Sequence, residues 1–239
     1  MRAIIMAAGI GSRIVGSLHE KPKCLITVGG ESLVARTVRV LRSRNIDDIT
    51  VITGYKSQLV HDELGERVKY IHNPFYPVTN SLASLWLAKE LLNDDVILMN
   101  ADLYFEERVM DIALAQTKPA VMLSDSTKKE ERDFCFKVDG ERIINAGNQL
   151  SHGDIDCEYV GIVRIDNGFI AEFKGRLEHL IKQGDFGNWW EGVLYSYLDQ
   201  DVIISHKDIM GAFWTEIDRM EDYLKLKSWF EKQKIPMLQ

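Results

Sequence analysis

Two glycines and two cations near the beginning of the chain are the residues best suited to hold a polyanion. Gly9 and Gly11 follow a short apolar run, Arg13 comes two positions later, and Lys23 ten positions after that. Glycines let a backbone approach a ligand closely and turn its amides toward it, while an arginine fork and a lysine ammonium add positive charge. The set suits a nucleoside triphosphate, and a tight turn that carries surface cations is the alternative that the spacing leaves open.

The glycine loop matches neither of two common phosphate-binding templates. The dinucleotide fingerprint needs a third glycine where Ile14 stands. The interval from Gly11 to Gly16 has the spacing of a Walker A loop, but Ser17 stands where that loop needs its lysine. Any triphosphate is therefore expected to be held by another kind of loop.

Aromatic and acidic residues lie side by side in the second half of the chain, at Glu158-Tyr159, Asn188-Trp189-Trp190-Glu191 and Trp214. An aromatic face beside a carboxylate can bind an ammonium group, with a cation–π contribution of roughly 0.5–2 kcal/mol per good contact. Adjacent tryptophans point to different sides of an element, so at most one of Trp189 and Trp190 is expected to face a pocket while the other packs in the core.

The elements predicted in the first half alternate between strand and helix. The apolar patterns predict strands at 3–6, 49–52, 68–71 and 96–99 and helices at 32–42, 58–64 and 82–92. Such alternation indicates βαβ units on a largely parallel sheet covered on both faces. Open sheets of this kind bind ligands at the carboxyl ends of their strands, so we expect chemistry in the loops after Met6 and Met99.

The second half is expected to add further elements to the same sheet. We predict a hairpin with strands at 134–138 and 142–145, a strand at 158–165, and helices at 169–182 and 220–233. No repeat, low-complexity tract or linker interrupts the chain, so residues 1–239 are predicted to form a single domain. The predicted fold class is α/β: a Rossmann-like, mixed but mainly parallel central sheet flanked by helices, with a small β-rich insertion or lid.

Composition excludes several classes of function. The formal net charge of -7 argues against a protein that coats nucleic acid. The three cysteines are far apart and show no metal-ligand spacing, which indicates reduced thiols. The apolar opening is too short for the core of a signal peptide, and no apolar run approaches the ~20 residues of a membrane span. We therefore expect a soluble cytoplasmic protein without nucleic-acid or membrane partners, either a monomer or a homodimer.

Several stretches of the sequence resemble the signature of nucleotidyltransferases that activate sugar phosphates and small alcohol phosphates. The chain is most similar to bacterial choline-phosphate cytidylyltransferases and their aminoalkylphosphonate-activating relatives. The matching stretches are Ala7-Ala8-Gly9-Ile10-Gly11-Ser12-Arg13, Lys21-Pro22-Lys23-Cys24-Leu25, Val28-Gly29-Gly30-Glu31-Ser32-Leu33, Thr79-Asn80-Ser81, Asn100-Ala101-Asp102 and Trp214-Thr215-Glu216-Ile217-Asp218. The resemblance covers essentially the whole chain and implies the nucleotidyltransferase fold.

The resemblance also implies roles for individual residues. Lys23 is expected to contact the α-phosphate and the incoming acceptor, and Arg13 the departing pyrophosphate. Asp102 and Asp218 are expected to hold Mg²⁺, although an aspartate at either position could equally be a turn former or a helix cap. The residues expected to bind the nucleotide are Ala7, Ala8, Gly9, Gly11, Ser12, Asn80, Ser81 and Ala101. Those expected to bind the acceptor are Tyr76, Glu158, Tyr159, Trp189, Trp190, Glu191, Trp214 and Glu216.

The implied reaction is the Mg²⁺-dependent transfer of CMP from CTP to a small amino-alcohol phosphate or phosphonate, with release of pyrophosphate. Phosphocholine, phosphoethanolamine and 2-aminoethylphosphonate are the expected kinds of acceptor. Two alternatives stay open: a sugar-1-phosphate nucleotidyltransferase that uses UTP or dTTP, and a catalytically silent nucleotide-binding regulator. A glycosyltransferase is less favoured, because Asn100-Ala101-Asp102 lacks the first acid of a DxD pair.

Overall fold

A mixed β-sheet of nine strands forms the centre of the computed structural model, which describes residues 1–11, 21–129 and 134–233. Within those residues the strands are β1 Arg2–Ala7, β2 Thr27–Val28, β3 Glu31–Ser32, β4 Ile49–Thr53, β5 Lys69–His72, β6 Val96–Asn100, β7 Leu103–Phe105, β8 Ala120–Asp125, β9 Cys135–Asp139, β10 Arg142–Gly147, β11 Cys157–Ile165, β12 Ser205–Asp208 and β13 Trp214–Glu216. The helices are α1 Leu33–Arg42, α2 Ser57–Leu64, α3 Ser81–Leu87, α4 Arg108–Leu114, α5 Asn167–Lys182, α6 Gly192–Tyr195 and α7 Met220–Gln233.

The strands of the central sheet follow the order β5-β4-β1-β6-β11-β8-β12-β10-β9. Strands β5, β4, β1 and β6 are parallel neighbours, and β12 is parallel to β8. Among these nine strands β10 and β11 run against the other seven: β11 is antiparallel to β6, β8 and β9, and β10 is antiparallel to β9 and β12. The predicted α/β class with a mixed, mainly parallel sheet is confirmed, and the later strands join the same sheet.

Helices cover both faces of the sheet, so its central strands are apolar on both sides. Alternate residues of β6 show this: Ile97 and Met99 pack with α1, α2 and α4 on one face. Val96 and Leu98 pack with α3, α5 and α6 on the other. A strand buried on both faces has a continuous apolar run rather than an alternating one, which explains the apolar segment at 96–99.

A separate two-stranded ladder brings two distant parts of the chain together. Strand β7 pairs antiparallel with β13, with Leu103 opposite Glu216. Just outside this ladder, the Ile217 amide donates to the Asp102 carbonyl at 3.0 Å. Neither strand was predicted from the sequence, because three residues are too few to show a periodic pattern.

Other differences from the predicted elements are local. The helix predicted at 82–92 ends at Leu87 and is followed by one tighter turn at Lys89–Leu91. Strands β8 and β12 were not predicted, whereas the hairpin of β9 and β10 was, and Gly140 turns it with a φ of 57°. Of the helices described, none combines the length and the apolar character needed to cross a membrane.

Candidate active site

A cavity of about 280 Å³ opens where the first parallel strands end. Its lining combines the loop after β1, the turn at Lys23, the residues at the beginning of α3, the turn after β6, Trp189, and the end of β13 with the residues after it. Six segments from distant parts of the sequence therefore meet at one edge of the sheet, as expected for an open α/β sheet. All but two of the residues expected to bind the nucleotide or act as catalysts line this cavity: Ala7, Ala8, Gly9, Gly11, Lys23, Asn80, Ser81 and Ala101. The two exceptions, Ser12 and Arg13, lie outside the described residues.

The two glycines of the loop after β1 differ in their surroundings: Gly9 faces open space, and Gly11 packs against Lys23. A Cβ placed on Gly9 would meet no atom within 4 Å, so a ligand can approach this backbone directly. Gly11 has a φ of 65°, and a Cβ there would lie 2.7 Å from Cγ of Lys23. The two glycines thus serve different purposes: Gly9 leaves space, and Gly11 permits the left-handed turn that supports the lysine.

Lys23 is anchored by the turn that it begins. The Leu25 amide donates to the Pro22 carbonyl at 2.9 Å, which closes one tight helical turn. Cys24 and Leu25 are buried in the core beneath it. Burial raises the pKa of Cys24 to about 12, so this cysteine is a packing residue and not a nucleophile.

Three carboxylates converge on the Lys23 ammonium. Asp102, Glu216 and Asp218 each offer an oxygen, and these oxygens all lie within 4.8 Å of one another. The Lys23 ammonium lies 3.6 Å from Asp102 and also contacts Asp218. The Asp222 carboxylate accepts from the backbone amides of 218 and 219, and so helps to hold the beginning of α7 beside the cluster.

Burial and mutual repulsion make this carboxylate set favourable for a cation. Burial raises the pKa of Asp102, while Lys23 opposes the shift and Asp218 adds to it. Burial also raises the pKa of Glu216 well above its ordinary value, with repulsion from Asp102 and Asp218 as further causes. Burial alone would lower the pKa of Lys23, but the three carboxylates outweigh it and raise that pKa. Hard carboxylate oxygens at this spacing fit Mg²⁺.

The acceptor set divides into residues that reach the cavity and residues that do not. Tyr76, Trp189 and Glu216 line it. Trp189 is 52% exposed, with its ring edge-on to Phe134 at 6.2 Å between centroids. Trp190 is completely buried, and its indole N–H donates to Asn100 at 2.9 Å. The pair therefore divides as the sequence analysis expects, with one ring at the cavity and one in the core.

Five of the residues expected to bind the acceptor do not line the cavity formed by the described residues: Glu158, Tyr159, Trp190, Glu191 and Trp214. Glu158 and Tyr159 are buried within β11, where they pair with β8. Trp214 is buried too, its indole donates to Asp125 at 2.8 Å, and the Lys128 ammonium already lies 3.6 Å from its ring centroid.

Glu191 lies behind the cavity wall and not at its surface. Its carboxylate accepts from the Asn100 amide at 3.3 Å. Burial raises the pKa of Glu191 to about 7, with the Asn100 hydrogen bond opposing the shift and Asp102 adding to it. The carboxyl is thus an internal hydrogen-bonding group in this structure.

Two features of the site were missed at the level of sequence. Glu216 was expected to bind the acceptor, and its place beside Asp102 and Asp218 in the carboxylate cluster was not expected. Asn100 was given no role, although it lines the cavity and bonds two residues of the 189–191 segment. An asparagine that ends an apolar strand two residues before an aspartate was the available signal.

Comparison with known proteins identifies relatives that are named as cytidylyltransferases or as a CMP-phosphonate synthase. The chain is 23% identical over 234 residues to the CTP:phosphoglutamine cytidylyltransferase of Campylobacter jejuni, covering 90% of this chain and 85% of that protein. It is 32% identical over 130 residues to the CMP-5'-(3-aminopropyl)phosphonate synthase of Streptomyces rubellomurinus, covering 52% of this chain and 21% of that protein.

Among solved structures, the fold matches that of the CTP:phosphocholine cytidylyltransferase from Streptococcus pneumoniae. The TM-score is 0.76 at 22% identity, over 95% of this chain and 98% of that chain. The family described as the MobA-like NTP transferase domain matches residues 3–152, more than half of the sequence. The chain therefore belongs to the MobA-like NTP transferase domain family and is a nucleotidyltransferase.

Proposed function

We propose that the protein transfers CMP from CTP to a small phosphate or phosphonate that carries an ammonium group, using Mg²⁺ and releasing pyrophosphate. The observation that carries the proposal is the Lys23 ammonium among Asp102, Glu216 and Asp218, at the wall of a cavity with an open glycine backbone. The relatives whose names specify CTP or CMP support the choice of base.

The chain's own residues are suited to bring two anions together. An acceptor phosphate oxygen must lie in line with the α-phosphorus of the triphosphate, and this oxygen is already a nucleophile. The reaction therefore depends on positioning and charge neutralisation, not on a protein nucleophile. Lys23 supplies a compact positive charge beside the carboxylates, and the Gly9 backbone allows close approach of a phosphate.

Asp102, Asp218 and Glu216 would hold the magnesium ion through their oxygens. When bound, the ion would neutralise phosphate charge and orient the phosphate oxygens. Lys23 contacts two of the same carboxylates, so its ammonium group would lie beside the ion and add a second positive charge for a phosphate at this site.

Trp189 supports an acceptor with a positive charge. Its ring is half exposed and lines the cavity. A cation above an indole ring gains roughly 0.5–2 kcal/mol. A sugar would instead call for several hydrogen-bonding side chains around its hydroxyls.

The test is a pyrophosphate-release assay in which each nucleoside triphosphate is combined with each acceptor class. The acceptors are phosphocholine, phosphoethanolamine, 2-aminoethylphosphonate, phosphorylated amino acids and sugar 1-phosphates. We expect release with CTP and an ammonium-bearing acceptor, and loss of that release on addition of a chelator. Release only with a sugar 1-phosphate would contradict the proposed acceptor, and no release with any pair would favour a silent nucleotide-binding protein.

A further inference from the structure

We propose that Asn100 is a positioning residue that ties the 189–191 segment to the metal-binding carboxylate of Asp102, so that acceptor binding and metal binding are coupled. The inference rests on the proposed function and deepens it, because it assigns the coupling to one side chain. The observation behind it is a single partly buried amide that bonds two consecutive residues of one segment and lies two residues from a carboxylate of another.

The Asn100 amide has its orientation fixed by its partners. Its oxygen accepts from the indole N–H of Trp190 at 2.9 Å, and its nitrogen donates to the Glu191 carboxylate at 3.3 Å. An indole can only donate, so the amide oxygen must face Trp190. Both polar ends of the side chain are therefore satisfied, and a flipped amide would lose both bonds.

The backbone on the metal side is held at both ends. Asn100 ends β6 opposite Met6, and the next amide, that of Ala101, donates to the Met6 carbonyl at 3.1 Å. The Asp102 carbonyl then accepts from Ile217 at 3.0 Å. Only one residue separates Asn100 from Asp102, so we expect that loss of the side-chain bonds at the end of β6 lets this short turn, and with it the Asp102 carboxylate, change position.

The acceptor side is anchored through the buried tryptophan. The Trp190 amide donates to the Ser81 hydroxyl at 3.0 Å, and the Leu82 amide donates to the Asn188 carbonyl at 3.1 Å. Because Trp190 is fixed in the core, its neighbour Trp189 is presented to the cavity. The Asn100 amide is thus the link between the ring offered to the acceptor and the carboxylate offered to the metal.

The primary test is Asn100→Leu, which removes both hydrogen bonds at similar volume without a change in charge. Loss of a group that hydrogen-bonds a metal ligand directly costs about 10–100-fold in metal affinity. Asn100 acts less directly, through the chain that leads to Asp102, so we expect Mn²⁺ binding, measured by electron paramagnetic resonance without any substrate, to weaken by about tenfold, the lower end of that range. The KM for the acceptor should rise by a similar factor, while the KM for CTP changes by about twofold or less.

Two further variants separate positioning from folding. Trp190→Phe removes only the indole donor and retains most of the ring volume, so a smaller loss of Mn²⁺ affinity is expected even if Asn100→Leu fails to fold. In Asn100→Asp combined with Glu191→Gln, the amide and the carboxylate exchange places. This keeps the net charge and restores both hydrogen bonds, and its Mn²⁺ affinity should return to within about threefold of wild type.

The matched control is Ser196→Ala, which removes a bond from the Ser196 hydroxyl to the Val193 carbonyl in the same region but touches neither Asn100 nor the carboxylates. It should leave Mn²⁺ affinity unchanged.

Unaltered Mn²⁺ affinity and acceptor KM in folded Asn100→Leu or Trp190→Phe would overturn the inference while leaving the proposed function intact. If wild type binds Mn²⁺ but releases no pyrophosphate, the proposed function fails, and the Mn²⁺ series still decides whether Asn100 positions Asp102. A wild-type protein that binds no Mn²⁺ would overturn both.

Discussion

At the scale of single residues, the site depends on where one ammonium group is held. Lys23 begins a turn whose next two residues are buried, and it contacts two of the three clustered carboxylates. The buried residues Cys24 and Leu25 therefore fix its backbone, and the carboxylates fix its ammonium group. We expect that another cationic side chain at this position could not make the same contacts.

Replacement of Lys23 by alanine should nearly abolish turnover without unfolding the protein. The variant loses the charge that would neutralise a developing phosphate anion, and such losses cost about 10²–10³-fold in kcat. Lys21→Ala is the control, because Lys21 is exposed and lies two residues away in the same segment. Pyrophosphate release and circular dichroism measure the two effects. An undiminished rate in Lys23→Ala would contradict the role of this lysine.

The two loop glycines should respond differently to alanine. Gly9→Ala meets no atom in the free protein, so it should leave the melting temperature unchanged while it weakens triphosphate binding. Gly11→Ala strains a backbone at a φ of 65° and pushes on Lys23, so it should also lower stability, by about 1–2 kcal/mol. Calorimetry of unfolding and of CTP binding distinguishes them. Equal melting temperatures for the two variants would contradict this division.

At the scale of elements, the β7–β13 ladder is what turns two distant acidic segments into one cluster. It aligns Leu103 with Glu216, and the adjoining bond from Ile217 to Asp102 extends the alignment by one residue. Strand β11 lies against this ladder at Gly161, where φ is 84° and a Cβ would come 2.9 Å from Leu103. The glycine therefore allows the ladder to approach the central sheet.

Gly161→Ala should displace the β7–β13 ladder and so disturb the carboxylate cluster of Asp102, Glu216 and Asp218. It adds both left-handed backbone strain and a clash with Leu103, and we expect a loss of about 1–3 kcal/mol in stability together with a higher Mg²⁺ requirement. Gly140→Ala is the matched control: it has a φ of 57°, but its Cβ would meet nothing within 4 Å, and its hairpin lies away from the ladder. Titration of activity with Mg²⁺ in both variants provides the comparison. An identical Mg²⁺ requirement would contradict the positional role of Gly161.

Long periodic elements were predictable from the sequence, and the contacts between distant segments were not. The apolar run of β6 and the amphipathic face of α1 carry their patterns within themselves. The pairing of β7 with β13 depends on residues more than a hundred positions apart, and no local pattern reveals it. For the same reason the aromatic residues were assigned too broadly: Trp214 has the right chemistry, but tertiary packing places Lys128 against its ring.

At the scale of the whole molecule, the site concentrates negative charge in a protein that is already acidic. The formal net charge is -7, and Asp102, Glu216, Asp218 and Glu191 lie around one end of the sheet. Burial raises the pKa of three of these groups, Asp102, Glu216 and Glu191. Such groups bind protons more tightly in the folded than in the unfolded state, so ionising them reduces the free energy of unfolding.

The variant Glu191→Gln makes this loss of stability on ionisation measurable, because the glutamine carbonyl oxygen can accept the same hydrogen bond from Asn100. The pKa of Glu191 is about 7 in the folded protein against an ordinary value of 4.5, so wild type loses stability from this group as the pH rises between these two values, and the loss levels off above 7. Glu191→Gln does not titrate and should escape that loss. This difference between the folded and the ordinary pKa of Glu191 corresponds to about 3 kcal/mol of unfolding free energy, or about 5–10 °C in melting temperature, at a pH well above 7.

We expect the two proteins to melt at similar temperatures near pH 4.5 and the variant to melt higher near pH 8.5. Parallel pH profiles, with a constant difference in melting temperature, would show that Glu191 ionises in the folded state as it does in the unfolded chain.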